Sequence, residues 1–227
     1  MNDAMERHGS DIPIWITEWG PTARSDDAGT LNNASIAGAY SLAFLDTMAR
    51  SGIGDAIFLA AVDHPGKPRP ALYTLDYRPT HSFKAIQSVL ELRGIRQKCT
   101  TSSADVGCIA VAGTEGVDIL LWRLDWHTVR MGASTVKNLE AAAKSMVELD
   151  VRSTNELPSL VLDRYLSNGE AVGKAKLPAI EPVRITRQAD DRAGLESRRM
   201  EPFELPYGAY VHLGFRYGSD RFSRASP

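Results

Sequence analysis

Residues 13–20, Pro-Ile-Trp-Ile-Thr-Glu-Trp-Gly, decide how the chain is read. Six apolar, β-branched or aromatic residues surround one carboxylate, Glu18, and Gly20-Pro21 closes the run. A short run of this composition predicts a buried strand that ends in a loop. Working outward, residues 35–51 place Ile36, Tyr40, Ala43, Phe44, Thr47 and Met48 at helical spacing, with Gly52 and Gly54 as the stop. Asp55 to Val62 then forms a second apolar run, followed by a Pro- and Gly-rich loop. A second helix follows, with Phe83, Ile86, Val89, Leu90 and Arg93 along one side and Gly94 after its end. Strand, loop, helix, repeated twice, is the order of a parallel sheet or barrel.

After Gly94 the pattern changes. Residues 118–126 alternate, with Leu120, Trp122, Leu124 and Trp126 on one face and polar residues such as Arg123 and Asp125 on the other. Residues 145–152 alternate likewise, and 159–166, 181–187 and 209–215 are further strand candidates. Asn168-Gly169, Pro178 and Pro206 lie in the loops that join them. Half-buried strands at this spacing predict an antiparallel β-sandwich, so two domains are expected, 1–94 and 95–227. Trp122 and Trp126 read as sandwich core rather than a sugar platform, and Arg198-Arg199, within residues 192–202, reads as a solvated loop.

The 227 residues carry 26 Lys+Arg against 28 Asp+Glu, with 43% hydrophobic residues, a profile that excludes disorder and a polycationic nucleic-acid arm. No apolar run approaches the length of a membrane helix, and residues 1–12 hold no apolar core of a signal peptide. Hence neither a nucleic-acid nor a membrane partner is expected, and the compartment stays open. The absence of GxGxxG, P-loop, HExxH and GxSxG motifs leaves nucleotide chemistry, zinc proteolysis and elbow-type serine hydrolysis without support. No metal or other cofactor is expected, since two cysteines without CxxC spacing make no zinc site. Those two, Cys99 and Cys108, flank a hairpin whose turn, if centred on Ser103 and Ala104, sets them opposite each other. Either a cross-strand disulfide or a pair of buried thiols fits.

Glu18 is the carboxylate singled out by position. At the C-terminal end of a barrel strand, packing explains a charge poorly, and that end of a (β/α)8 barrel carries the active site. Flanking indoles suit sugar chemistry, because an aromatic face stacks on pyranose C–H groups and an apolar wall tunes a carboxylate. The alternative is a strand-end Glu in an ion pair or loop cap.

Ile-Thr-Glu-Trp-Gly, residues 16–20, resembles the seventh-strand motif of clan A retaining glycoside hydrolases, particularly family 39, which contains β-xylosidases. The likeness extends to the helix SIAGAYSLAFLDTM, the segment PTHSFKAI, the strand end LDRYLSN (162–168) and the final FELPYGAYVHL (203–213). It implies the last two βα units of a TIM barrel followed by a β-sandwich, with a carbohydrate substrate and Glu18 as catalytic nucleophile. By the same likeness Trp15, Trp19 and Asp63 are candidates for sugar binding. Asp63 reads equally as the start of the following loop, Trp15 and Trp19 as structural residues, and His64 as merely exposed.

One part of the family pattern is missing. Retaining hydrolysis needs a second carboxyl group about 5–5.5 Å from the first. The clan supplies it from an Asn-Glu-Pro-like segment on the fourth strand. No Asn-Glu-Pro occurs here, and Asn155-Glu156-Leu157-Pro158 lies in the sandwich half. The chain therefore reads as the C-terminal part of such an enzyme, completed by an N-terminal barrel segment or by a second chain, and inactive alone. Two lone parallel strands are expected to leave unpaired edges and an uncovered apolar face. The rival reading is a non-catalytic carbohydrate-binding or assembly module.

Overall fold

The computed structural model describes residues 14–21, 35–66, 70–124, 144–153, 160–167, 186–190 and 195–217. Its N-terminal part contains β1 (Trp15–Trp19), α1 (Ser35–Arg50), β2 (Asp55–Phe58) and α2 (His81–Leu90). Then come β3 (Ile95–Gln97), β4 (Val106–Ala112), β5 (Gly116–Arg123), β6 (Lys144–Ser153), β7 (Leu160–Ser167), β8 (Thr186–Asp190), β9 (Leu195–Pro206) and β10 (Tyr210–Tyr217). Trp126, Asp125, residues 22–34, Asn155–Pro158, Asn168-Gly169, Pro178 and residues 181–185 lie outside the described residues.

β1 and β2 pair in parallel as a two-stranded sheet. The helix between them starts and stops where its composition dictates. Ala, Leu and Met fill its middle, and Gly52, at φ +70°, turns the chain so that Ile53 N–H returns to the Met48 carbonyl at 3.1 Å. α2 begins at Thr80, whose hydroxyl accepts from Phe83 N–H at 3.3 Å.

The two helices approach each other at small residues. The buried stripe of α2 is Ser82, Ala85 and Ser88; of the expected apolar side Phe83, Ile86 and Val89 are half-buried, Val89 against the core, whereas Leu90 is 68% exposed. The reason is spacing. The Ser82 hydroxyl reaches the Ala37 carbonyl of α1 at 3.3 Å, closer than a bulky layer would allow. Gly38 lies at the same contact, where an added Cβ would sit 2.4 Å from the Tyr210 ring and 3.1 Å from the His81 carbonyl.

The larger sheet runs in the order β3-β4-β5-β10-β7, and a three-stranded sheet runs β6-β9-β8, with every neighbouring pair antiparallel. Alternation along the strands divides the larger sheet's side chains between two cores. Ile109, Val111, Leu120, Trp122, Leu124 and Tyr210 meet Ile36, Ala39, Leu42, Ala43 and Ala85 of the helices. Cys108, Ala110, Val117, Ile119, Leu121, Val211, Leu213 and Phe215 form the second cluster with Phe203 and Leu205 of β9 and Val147 of β6. The two parts of the chain thus share a core across Gly94.

Trp122 and Leu124 are core, as the alternation implies, but the polar face expected for β5 is not solvated. Every residue of that strand is buried, because layers cover both sides. Its charges are compensated in place. Asp118 lies 3.1 Å from His212 Nε2 and 3.5 Å from Arg216 Nη1. Arg123 pairs with Asp105 at 2.7 Å and lies over the Tyr207 ring, 5.9 Å from its centroid. Burial raises the Asp105 pKa, but hydrogen bonds from Ser103 and Arg123 and the Arg123 charge outweigh it and hold the carboxyl below its ordinary range. Arg123 N–H and C=O also bond Ala209 and Gly208, so one residue pins the corner where the chain passes from β9 to β10. Between α1 and β3, Asp46 accepts from Arg50 at 2.7 Å and from Arg96.

Two further readings resolve. β3 pairs with β4 with Ile95 opposite Ala112 and Gln97 opposite Ala110, the register of a turn centred on Ser103 and Ala104. Continued, it sets Cys99 against Cys108, and the two form a disulfide with Cα atoms 5.9 Å apart. Residues 195–202, read as a loop, instead belong to β9, the middle strand of its sheet. Charged residues at both odd and even positions of the run erase the apolar alternation that marks a half-buried strand, while backbone pairing on both edges satisfies the strand.

Gly38→Ala should lower the free energy of unfolding by about 1–3 kcal/mol, because Tyr210 is buried and cannot yield. Gly54→Ala, with nothing within 4 Å of the new carbon, should be within about 0.5 kcal/mol of wild type. Urea denaturation followed by far-UV circular dichroism measures both, and equal effects would contradict the packing described.

Candidate functional site

Glu18 occupies an irregular strand end. Trp15 faces Asp55 and Ile16 faces Ala56, but Trp19 faces Phe58, so Thr17 and Glu18 together oppose the single residue Ile57. A bulge of this kind re-aims the side chains around it. Ile16 is half-buried and Trp19 is buried, while Trp15, Thr17 and Glu18 are exposed. Trp19 stacks on Phe44 of α1, centroids 4.7 Å apart, and meets Phe58 edge-on at 4.7 Å. Its carbonyl accepts from Leu59 N–H at 2.8 Å. The residue after Glu18 is thereby anchored by both ring and backbone, which fixes the carboxylate's position on the strand.

The strand expected to be buried is therefore open on one side, with Trp15 67% and Ile57 63% exposed. Aromatic and β-branched residues mark a strand that can be covered on two faces. Among the described residues β1 pairs only with β2, and the aromatic contacts of its buried end are to α1 and β2. The Glu18 carboxylate makes no side-chain hydrogen bond or ion pair among the described residues, so the alternative of a strand-end ion pair finds no partner there.

β2 also ends earlier than its apolar run suggests, at Phe58 rather than Val62. The chain past it is held by an isolated parallel bridge between Val62 and Tyr73. Asp63 stands just beyond, half-buried, its N–H on the Tyr73 carbonyl at 2.9 Å. Its Oδ1 accepts from His64 N–H, the next residue, at 2.8 Å. His64 is exposed, with Nδ1 2.8 Å from the Pro65 carbonyl.

Because β1 and β2 are parallel, Glu18 and Asp63 lie at the same end of the pair. Trp15 shares exposure with Glu18, whereas Trp19 is committed to packing. Sequence alternation alone does not separate the two indoles, since the bulge that turns them apart has no signature in residue type. Thr17, exposed beside Glu18, was not singled out for the same reason. A fixed, accessible carboxylate on a strand that also exposes an indole can attack an electrophilic carbon or accept hydrogen bonds from hydroxyl groups. Among the described residues no group of three or more His, Cys, Asp or Glu side chains is placed to hold a metal ion.

No protein-family model matches the chain, and no curated protein matches it in sequence. Its fold is similar to that of the GH39 enzyme from Xanthomonas axonopodis pv. citri, with a TM-score of 0.58 and 14% identity over 92% of this chain and 45% of that one. A monomeric β-xylosidase from Caulobacter crescentus CB15 gives 0.56 and 14% over 95% and 48%. A GH30 endoxylanase from Clostridium papyrosolvens C71 gives 0.51 and 13% over 95% and 45%. The chain has a glycoside-hydrolase-like fold, mixing strands and helices with an antiparallel sheet, and spans less than half the length of these structures.

The two indoles of β1 should respond oppositely to truncation. Trp19→Ala should cost about 3–5 kcal/mol of stability by emptying the space between Phe44 and Phe58, whereas exposed Trp15→Ala should cost about 0.5 kcal/mol or less. Thermal melts of the two variants decide the matter, and similar melting points would contradict the assigned packing.

Proposed function

We propose that the chain is the C-terminal part of a retaining glycoside hydrolase of the family 39, β-xylosidase-like type. In this reading residues 1–94 supply the last two βα units of a TIM barrel and residues 95–227 a β-sandwich. Glu18 is the nucleophile. The observation that carries the reading is the exposed carboxylate on the bulged C-terminal end of a parallel strand that also exposes Trp15. The Thr17-Glu18-Trp19 motif and the glycoside-hydrolase-like fold support it.

The chemistry follows from that placement. A Glu18 carboxylate oxygen attacks the anomeric carbon of a sugar while the bond from that carbon to the leaving oxygen breaks. A general acid protonates the leaving oxygen, and water then displaces Glu18 with net retention. Trp15 offers an aromatic face to the ring, Asp63 accepts hydrogen bonds from hydroxyl groups, and Trp19 holds the strand end from below. We assign the general acid to further barrel strands, from an N-terminal segment or a second chain, which would also cover the exposed Ile57. No cofactor enters the mechanism.

A second reading, a non-catalytic carbohydrate-binding or assembly module, draws on the same open face. Leaving-group chemistry separates the two. A 2,4-dinitrophenolate departs without protonation, so 2,4-dinitrophenyl β-xyloside needs a nucleophile but no general acid. The chain should release dinitrophenolate from it, Glu18→Gln should lower kcat/KM by about 100-fold or more, and xylobiose should remain intact. Release unaffected by Glu18→Gln would overturn the nucleophile assignment and favour the binding module.

A further inference from the structure

Beyond β2 the chain makes one feature that packing does not explain. Leu72 and Tyr73 donate to the carbonyls of Ala60 and Ala61 at 3.1 and 2.9 Å, so this segment runs parallel to the prolongation of β2. The turn Thr74–Arg78 follows and the chain returns through an antiparallel bridge between Tyr73 and Pro79 to the α2 cap at Thr80. That direction carries the turn to the end of the sheet where Glu18 and Asp63 lie.

The turn is latched from within. Thr74 N–H meets the Arg78 carbonyl at 2.9 Å, Tyr77 N–H meets the Thr74 carbonyl at 2.9 Å, and Arg78 N–H meets Thr74 Oγ1 at 3.1 Å. Asp76 accepts from Thr74 Oγ1 and pairs with Arg78 Nε at 2.6 Å. Held this way, Tyr77 adopts φ +59°, the left-handed region that glycine or asparagine occupies at little cost and a tyrosine does not. The ring recovers nothing by burial. Tyr77 is 75% exposed, and Leu75 beside it is 52% exposed. A strained backbone that displays an uncovered aromatic ring, where glycine would relieve the strain, points to use of that ring.

We propose that Tyr77 is a sugar-contacting residue at the mouth of the site, its ring taking the C–H face of a pyranose unit in the chain whose scissile residue meets Glu18. The inference rests on the glycosidase reading and extends it from a single sugar to an oligosaccharide. An aromatic face suits that ligand because its C–H groups are apolar while its hydroxyl groups stay in water. The latch keeps the ring presented without the ligand, so little ordering is needed on binding.

Native affinity electrophoresis through gels containing soluble β-1,4-xylan tests this with wild type, Tyr77→Phe, Tyr77→Gly and Tyr77→Asn. Wild type and Tyr77→Phe should be retarded. Tyr77→Gly and Tyr77→Asn, both at ease at positive φ, should bind about tenfold more weakly while melting at or above the wild-type temperature. Equal retardation of all four would overturn the role of Tyr77 and leave the carbohydrate reading standing. Wild-type mobility unchanged by xylan would overturn both. A lowered melting temperature in both the glycine and the asparagine variant would contradict the strain on which the inference stands.

Discussion

The structure depends on α1 being buried on more than one side. Ile36, Ala39 and Ala43 enter the core formed with β4, β5 and β10, Ala37 and Gly38 take the close contact with α2, and Phe44 receives the indole of Trp19. A single 16-residue helix therefore ties the parallel pair to the antiparallel sheet. Its alanines and its glycine are short because three partners crowd it, and each buried contact removes apolar area from water at about 25 cal/mol per Å². Asp46, held by Arg50 of the helix and Arg96 of β3, adds a polar tie across the same junction.

This arrangement explains how a strand end can be rigid and exposed together. Trp19 and the Leu59–Trp19 hydrogen bond fix the backbone around Glu18 from beneath, while the bulge turns Thr17 and Glu18 outward. A carboxylate held on a packed element keeps its geometry without being desolvated. The loop after β2 repeats the device with Tyr77, where hydrogen bonds within the turn replace side-chain packing. Both features place the stabilising interactions on neighbouring residues and leave Glu18 and Tyr77 exposed.

Much of the fold was legible in the sequence, and the failures have physical causes. The bounds of α1 followed from its composition and Gly52, and the β3–β4 register followed from the turn, which also brought Cys99 to Cys108. The apolar run at residues 13–20 identified a strand but not its exposure, because residue type records what a strand can bury rather than what covers it. In α2 close helix approach favoured Ser82, Ala85 and Ser88 over the larger residues that periodicity selects. In β5 Arg123 read as solvated because its partner, Asp105, lies outside the strand, in the turn before β4. The place of Glu18 at a strand end was legible, whereas the separation of Trp15 from Trp19 required the bulge.

The central claim is that Glu18 is positioned to form a bond to an anomeric carbon. Incubation with 2,4-dinitrophenyl 2-deoxy-2-fluoro-β-xyloside tests it directly, because the fluorine slows breakdown of a glycosyl-enzyme and the leaving group needs no acid. Intact mass followed by peptide mapping should find one fluoroxylosyl group, attached at Glu18. An unmodified chain, or a label on another residue, would contradict the account.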